Sequence, residues 1–209
     1  MTSYFDGLKQ TIKDPILVEL REKALENGIP IIEEDGLLFL KQLLLLLKPK
    51  RIVEVGTAVG YSTIAMATFS DAYITTIERD KERANQARSH FAQYQLTDRI
   101  TLIEKDALEV DVSSLEPVDL LFIDAAKAQN IKFFEHYESL VREGGIVVTD
   151  NLLFHGAFNR REEQTRNVKQ LLRKINDFNQ YILDRQGYDT VIYQVGDGMS
   201  VSVKKGGKG

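Results

Sequence analysis

Short apolar segments alternate with helix-like segments after Pro49, and this alternation restricts the fold more than any other feature of the sequence. Five of the short segments predict buried strands, because they are apolar and bounded by glycine or polar residues. These segments are 51–56, 72–78, 100–106, 118–124 and 145–150. The intervening segments predict helices, at 60–69, 80–94 and about 128–142. Strands separated by helices form parallel sheets covered on both faces, so the sequence predicts an α/β fold.

The first 48 residues do not follow this alternation. Segments 15–27 and 35–47 predict two N-terminal helices, and the first of them begins at a proline and ends at an Asn-Gly pair, as helices often do. The most apolar part of the second helix is too short to cross a bilayer, and no basic stretch followed by an apolar core opens the sequence. We therefore expect a protein of the cytoplasm with no membrane segment.

The end of the chain predicts a different strand arrangement. A helix over about 160–184 leads to alternating strands at 188–195 and 199–205, joined by the Gly-Asp-Gly turn 196–198. Because Asp-Gly between two such strands is typical of a hairpin, we expect the last strand to run antiparallel. The prediction is a single domain over residues 1–209, with a mostly parallel seven-stranded sheet and a flexible tail at 204–209.

The composition limits which chemistry is possible. The chain has no cysteine, which excludes disulfides, thiolate zinc sites and cysteine nucleophiles. It has three histidines, so a metal would be bound mainly by oxygen, which suits magnesium, manganese or calcium. The net charge of −4 gives no overall attraction to nucleic acid, although charge can be distributed unevenly.

Acidic residues follow the predicted parallel strands at their carboxyl ends, where ligands bind in open α/β sheets. The strands deliver, in chain order, Glu54 and Gly56, then Glu78, then Asp106 and Ala107, then Asp124, then Asp150 and Asn151. A purely structural sheet has no reason to collect acids at one edge, because like charges repel. We therefore expect the functional site at this edge.

The loop after the first strand predicts a nucleoside-binding site. Gly56 and Gly60 let the backbone approach a ligand closely, and Glu78 lies 22 residues after Gly56, the spacing at which an acid receives ribose hydroxyls. A nicotinamide dinucleotide would also fit, but the loop lacks G-x-G-x-x-G and Glu54 would repel phosphates. S-adenosylmethionine, which is cationic and has no phosphate, fits better. A tight turn without a ligand is the alternative.

Asp124, Asp150 and Asn151 predict a site for a hard cation with room for substrate. A helix cap for Asp124 and a turn for the other two are the alternatives. Lys127 could reach a bound substrate, or it could be a solvated lysine at a helix start. His155 is a poorer candidate ligand, and Tyr61 could pack on a cofactor or fill the interface between helix and sheet.

Six motifs along the chain resemble the cation-dependent O-methyltransferases, a family that includes the caffeoyl-CoA and catechol O-methyltransferases. They are VEVGTAVGYST (53–63), TIERD (76–80), KDALE (105–109), FIDAAKAQ (122–129), VVTDNLLFHG (147–156) and GDGMSVSVK (196–204). The resemblance covers about 25–205 with the motifs in order, and it implies a Rossmann-like class I methyltransferase fold. Family members are commonly homodimers.

Within the family the chain is most similar to the bacterial enzymes that methylate tRNA 5-hydroxyuridine at the wobble position. IPIIEEDG (29–36) and the run from Asp124 to Lys127 fit that branch, whereas the plant enzymes usually have a second acid at Ala126. The resemblance implies metal ligation by Asp124, Asp150 and Asn151, with Lys127 as the base beside Asp124. It implies contacts with S-adenosylmethionine by Ile32, Glu54, Gly56, Tyr61, Ser62, Glu78, Ala107 and Asp124.

Several alternatives remain open at this point. A small catechol-like phenol could replace the tRNA anticodon region as substrate, and a non-catalytic cofactor-binding or RNA-binding protein and a dehydrogenase are other classes. A tRNA substrate needs a phosphate-binding surface, for which 155–174 is one candidate, with basic residues in excess over Glu162 and Glu163. The basic side chains are Arg160, Arg161, Arg166, Lys169, Arg173 and Lys174, with Lys204, Lys205 and Lys208 in the tail. A solvated helix face is the other interpretation of this stretch.

Overall fold

The structure is a computed structural model that describes residues 8, 10–153 and 165–207. The helices are α1 (Pro15–Glu26), α2 (Glu34–Leu47), α3 (Tyr61–Phe69), α4 (Lys81–Gln93), α5 (Asn130–Tyr137) and α6 (Arg166–Asp184). The strands are β1 (Arg51–Val55), β2 (Tyr73–Glu78), β3 (Ile100–Glu104), β4 (Val118–Ile123), β5 (Val141–Thr149), β6 (Tyr188–Tyr193) and β7 (Met199–Lys204). Short 3₁₀ turns lie at Ala107–Glu109, Val112–Ser114, Lys127–Gln129 and Glu138–Leu140.

The seven strands form one sheet in the order β3-β2-β1-β4-β5-β7-β6. The first five strands are mutually parallel, and β7 pairs antiparallel with both β5 and β6. The predicted mostly parallel seven-stranded sheet with an antiparallel last strand is therefore confirmed. Because Val55 pairs with Ile123 and Ile123 with Thr149, the carboxyl ends of β1, β4 and β5 lie side by side.

Helices cover both faces of the sheet because successive strand residues point to opposite sides. On one face, Ile52 and Phe122 pack in a cluster with buried residues of α1, α2 and α3. On the other face, Val53 and Ile123 pack in a cluster with buried residues of α5 and α6. Every residue of β4 is buried, as expected for the central strand of a sheet covered on both faces.

Two predicted boundaries differ from the structure. The helix expected over about 128–142 is divided into the turn Lys127–Gln129, α5 and the turn Glu138–Leu140, and β5 already begins at Val141. Val141 pairs with Val118, and the register then shifts before Leu120 pairs with Ile146. The early start of β5 therefore depends on pairing with β4 across a β-bulge or irregularity, which the periodicity of the sequence does not reveal.

The predicted tail is also shorter than expected. Lys204 is the last residue of β7, and its Nζ donates to the carbonyls of Glu138 and Val141 at 2.9 and 2.7 Å. Lys204 is therefore not part of a flexible tail, whereas Lys208 lies outside the described residues. In the described part of the chain, no helix is long and apolar enough to cross a membrane.

Candidate active site

A cavity of about 320 Å³ lies at the carboxyl edge of the sheet, between the segments that follow β1 to β4 and the segment preceding α2. Most of the residues predicted to bind the cofactor line it. They are Ile32, Gly56, Tyr61, Ser62, Glu78, Ala107 and Asp124. Lys127 and Asn151 also line this cavity, so the structure brings the two predicted sites together.

The loop between β1 and α3 lies tightly against the neighbouring strand. Gly56 has a φ of 104°, and a Cβ at this position would stand 2.1 Å from the carbonyl oxygen of Asp124. Gly60 has a φ of 89°, and a Cβ there would meet the Phe91 ring at 2.7 Å. Both glycines are therefore required by close approach as well as by conformation, and the loop leaves space above it for a ligand.

Glu78 is held in a fixed orientation at the cavity wall. Its Oε2 accepts a hydrogen bond from the backbone N–H of Ala58 at 2.9 Å, and its Oε1 accepts one from that of Asp80 at 2.9 Å. Each carboxylate oxygen has further acceptor capacity. A fixed, nearly buried carboxylate of this kind suits the two hydroxyls of a ribose, as the spacing from Gly56 predicts.

Glu54 is the one predicted cofactor-binding residue that does not line the cavity. Its side chain is 0% exposed. Its Oε1 accepts from Ser62 Oγ at 2.5 Å, and its Oε2 accepts from Thr76 Oγ1 at 2.6 Å and from Thr63 Oγ1. Burial raises the pKa of Glu54 to about 7, although these three hydrogen bonds oppose the rise. In this structure Glu54 acts on the cavity through Ser62, because the hydroxyls enclose its carboxylate.

Asp124, Asp150 and Asn151 lie in contact with one another beyond β4 and β5. The Nδ2 of Asn151 donates to Asp124 Oδ1 at 2.8 Å, and the backbone N–H of Asn151 donates to Asp150 Oδ1 at 2.7 Å. The sheet ladder continues into this cluster, because Asp124 N donates to Val55 O and Asp150 N to Ile123 O. Asp150 is only 4% exposed, and Asp124 and Asn151 form the surface facing the cavity.

Burial disfavours the ionisation of both carboxyl groups of this cluster, and the charge of Asp124 adds to this effect at Asp150. Burial raises the pKa of Asp124 to about 6, and Lys127 and the Asn151 amide oppose this rise. Burial, followed by the charge of Asp124, raises the pKa of Asp150 well above its usual value. A cation bound between them would relieve this repulsion.

The donor set fits a hard divalent cation. Two carboxylates and an amide oxygen are ligands preferred by magnesium and calcium, and Asn151 would present its Oδ1 by rotating its amide. Across 10–153 and 165–207, no three histidine, cysteine or acidic side chains come together as a metal site, so the amide is needed to complete this one. His155 lies outside the described residues.

The cavity also contains basic residues that the sequence analysis did not identify. Arg79, Arg83 and Lys105 line its opposite end, where Arg79 Nη1 lies 3.4 Å from Asp106 Oδ2. Arg79 directly follows Glu78 in the sequence, and this adjacency could have indicated that Arg79 lies at the cavity. The hydroxyls of Thr63 and Thr76 around Glu54 were missed as well, although Thr76 is a polar residue in the interior of a buried strand.

The fold and the cavity define a class of protein, an α/β protein with a ligand-sized cavity at the carboxyl edge of its sheet, next to a pair of carboxylates. The sequence profile of the O-methyltransferase family matches residues 9–205. The chain therefore belongs to the O-methyltransferase family.

Individual relatives agree with this placement. A catechol O-methyltransferase from Niastella koreensis is 30% identical over 207 residues, which cover 92% of this chain and 91% of that protein. A structure from Staphylococcus aureus, described as a proposed caffeoyl-CoA O-methyltransferase, is 36% identical with a TM-score of 0.85 and covers 96% of this chain and 95% of that one. An O-methyltransferase from Bacillus cereus in complex with SAH (S-adenosylhomocysteine) is 25% identical with a TM-score of 0.79, covering 97% and 96%. The chain is thus an S-adenosylmethionine-dependent O-methyltransferase, which rules out the dehydrogenase and the non-catalytic binding protein.

Replacing Glu78 with alanine is expected to weaken S-adenosylmethionine binding by about 10- to 100-fold, because hydrogen bonds to a charged acceptor contribute about 1.5–3 kcal/mol. Isothermal titration calorimetry measures the change. The Glu104→Ala variant is the matched control, since Glu104 ends the adjacent strand and pairs with Arg88 instead. Equal affinities for S-adenosylmethionine in the Glu78→Ala variant and in the wild type would show that Glu78 does not contribute to cofactor binding.

The Glu54→Gln variant is expected to change how stability depends on pH. The pKa of Glu54 is raised from 4.5 to about 7 in the folded protein, so its contribution is fully present below pH 4.5 and is lost as the pH rises through 7. The loss amounts to about 3 kcal/mol at 1.36 kcal/mol per pKa unit. Urea unfolding of both proteins without cofactor at pH 5 and pH 8 measures it. If the difference in the free energy of unfolding between the two proteins is the same at pH 5 and pH 8, the raised pKa of Glu54 is contradicted.

Proposed function

We propose that this O-methyltransferase depends on a divalent cation, with magnesium as first choice and manganese or calcium as alternatives. We propose further that it methylates the 5-hydroxyl of 5-hydroxyuridine at the tRNA wobble position, producing 5-methoxyuridine. The observation that carries the proposal is the cluster of Asp124, Asp150 and Asn151 beside the cofactor cavity. A buried carboxylate next to a partly buried one is costly unless a cation joins them.

The acceptor that such a cluster suits has two neighbouring oxygens. A cation held by Asp124, Asp150 and Asn151 would bind both oxygens and lower the pKa of the hydroxyl. The O4 and the 5-hydroxyl of 5-hydroxyuridine form such a pair, as do the two hydroxyls of a catechol. The cluster therefore predicts a chelating acceptor and does not by itself choose between the two.

The chain's own residues would do the remaining work. The fixed carboxylate of Glu78 and the loop at Gly56 orient the donor, and Lys127 stabilises the acceptor oxyanion or takes its proton. A bond forms from the acceptor oxygen to the methyl carbon while the carbon–sulfur bond breaks and its electron pair passes to sulfur. Because an anion and a sulfonium neutralise each other, an enclosed cavity favours this step.

The tRNA acceptor is supported by residues close to the cluster. The run from Asp124 to Lys127 has alanine at position 126, where the plant enzymes that act on phenolic thioesters usually have a second acid. A tRNA substrate would place the reaction in the cytoplasm. The expected homodimer stays a prediction.

Nucleoside mass spectrometry of tRNA from a deletion strain tests the proposal. The expected result is accumulation of 5-hydroxyuridine with loss of 5-methoxyuridine, restored by the wild-type gene and not by a gene encoding Asp150→Ala. An unchanged level of 5-methoxyuridine would refute the tRNA substrate. With purified protein and wobble-hydroxylated tRNA in vitro, methylation that persists in excess chelator would refute the dependence on a divalent cation.

A small catechol-like phenol is the second candidate acceptor. It is favoured by the 30% identity to the catechol O-methyltransferase of Niastella koreensis. Parallel methylation assays with wobble-hydroxylated tRNA and with a free catechol separate the two candidates, because the one with the higher kcat/KM identifies the substrate class.

A further inference from the structure

The first half of α6 extends past the carboxyl edge of the sheet on the side of the active site. In the second half of α6, Asn179 Nδ2 donates to the carbonyl of Leu152, which follows β5, at 3.4 Å. Just after α6, Arg185 pairs with Glu138, which precedes β5. The helix therefore runs antiparallel to β5, and its residues before Asn179 lie beyond the strand end. At 1.5 Å per residue, Arg166 lies about 20 Å further along the axis than Asn179.

The helix α6 also contacts the residues that form the acceptor end of the cavity. The helix packs against the turn Lys127–Gln129, which contains the proposed base and begins three residues after Asp124. A molecule whose reactive group enters the cavity beside Lys127 would therefore have its flanking parts near the first turns of α6.

The outward face of this half is positively charged. Leu172, Ile175, Phe178 and Ile182 form the buried face. At 100° per residue, Arg166, Lys169 and Arg173 fall on the opposite side, where all three are exposed. Lys174 is exposed at the flank of this surface, which we call the α6 basic face. The first acid of α6 is Asp177, which falls on the same side one turn after Arg173, so the first two turns of this face contain basic residues and no acid.

Helix stability does not account for this charge pattern. Cations near a helix N-terminus oppose the helix dipole and cost about 0.3–1 kcal/mol each, and the first turn of α6 has no compensating acid. Other surface cations, such as Lys23 and Arg88, pair with nearby carboxylates. Among the residues that the structure describes, no acidic side chain forms an ion pair with a member of the α6 basic face.

We propose that the α6 basic face binds backbone phosphates of the RNA on either side of the nucleotide that enters the cavity. This inference rests on the proposed tRNA substrate and adds the surface that holds it. The positions from Arg166 to Arg173 span about 10 Å along the helix, all on the side facing away from the core. A phenol without phosphate would use none of these charges.

The Lys169→Glu/Arg173→Glu double variant tests the inference. We expect KM for wobble-hydroxylated tRNA to rise about tenfold or more at 0.15 M salt, because two phosphate contacts become repulsive. The slope of log KM against log salt concentration should also fall by about 1.5–2. Calorimetry with S-adenosylmethionine reports whether the cofactor site remains intact in this variant.

The Lys48→Glu/Lys50→Glu double variant is the matched control. Lys48 and Lys50 are exposed and directly precede β1, at the opposite edge of the sheet, and the change in net charge is the same. This control should keep the tRNA KM and the salt slope of the wild type. An equal loss in both double variants would mean that only net charge matters, and it would overturn the assignment of the surface.

The remaining outcomes separate this inference from the proposed function. If the wild type methylates tRNA and the α6 double variant does so with unchanged KM and salt slope, the inference fails and the tRNA substrate stands. If the wild type does not methylate tRNA, the proposed function itself fails. If the α6 variant loses activity only on a coenzyme A thioester of a catechol acid, the phosphates are those of coenzyme A, and the RNA assignment is overturned.

Discussion

The Asp150→Ala variant is expected to lose methyl transfer by about three orders of magnitude or more, together with its dependence on added magnesium. Asp150 is one of the two charged ligands proposed for the cation, so its removal should abolish cation binding. The cation is expected to stabilise the acceptor anion by several kcal/mol, and each 1.36 kcal/mol of transition-state stabilisation is a factor of ten in rate. The measurement is the rate of S-adenosylhomocysteine formation over a magnesium titration.

This loss should not come from unfolding. Burial and the charge of Asp124 destabilise the ionised form of the Asp150 side chain, so removing this side chain relieves repulsion in the cation-free protein. The Asp150→Asn variant keeps an oxygen to accept from the Asn151 N–H, and it should melt at or above the wild-type temperature while remaining inactive. Full activity of either variant in excess chelator would contradict the cation site.

The Gly56→Ala variant is expected to be destabilised by about 2–5 kcal/mol. A Cβ would stand 2.1 Å from the Asp124 carbonyl oxygen, and alanine would also have to adopt a φ of 104°. The conformation costs about 1–2 kcal/mol and the overlap about 1–3 kcal/mol. Thermal unfolding should show a fall in Tm of about 5–20 °C. S-adenosylmethionine binding should weaken too, because the loop and Asp124 would be pushed apart.

Gly144 provides the control for conformation alone. It has a φ of 74°, a Cβ added there would meet nothing within 4 Å, and it lies in β5 near the other edge of the sheet. The Gly144→Ala variant should therefore lose only about 1–2 kcal/mol. If the two variants have equal Tm values, close packing of the loop against Asp124 is not what requires Gly56.

The candidate site was predictable where strand order alone fixes proximity. Parallel strands present their carboxyl ends at one edge, so the acids at or just after the ends of β1, β2, β4 and β5 had to gather there once the alternation was recognised. Asp124 and Asn151 are joined by a hydrogen bond although they are 27 residues apart. Gly56 was also identified from the sequence, because a short loop next to a ligand favours glycine.

The sequence could not reveal which acids face the cavity. Glu54 and Glu78 both lie near the carboxyl ends of their strands, yet Glu54 is enclosed by hydroxyls of α3 and β2 while Glu78 reaches the cavity wall. That difference depends on side chains from three elements. The role of Lys204 was hidden for the same reason, because its partner carbonyls at Glu138 and Val141 are more than 60 residues away in the chain.

The fixed carboxylate of Glu78 has a consequence for cofactor discrimination. Two backbone N–H groups already set the position of both oxygens, and Glu78 lines the cavity, so its remaining acceptor capacity is in place before any ligand arrives. A donor analogue lacking one ribose hydroxyl would leave a nearly buried oxygen with an unsatisfied lone pair, a penalty that a mobile side chain could avoid by turning to water. Rejection of deoxynucleoside analogues would thus be a property of the backbone at Ala58 and Asp80 as much as of the acid itself.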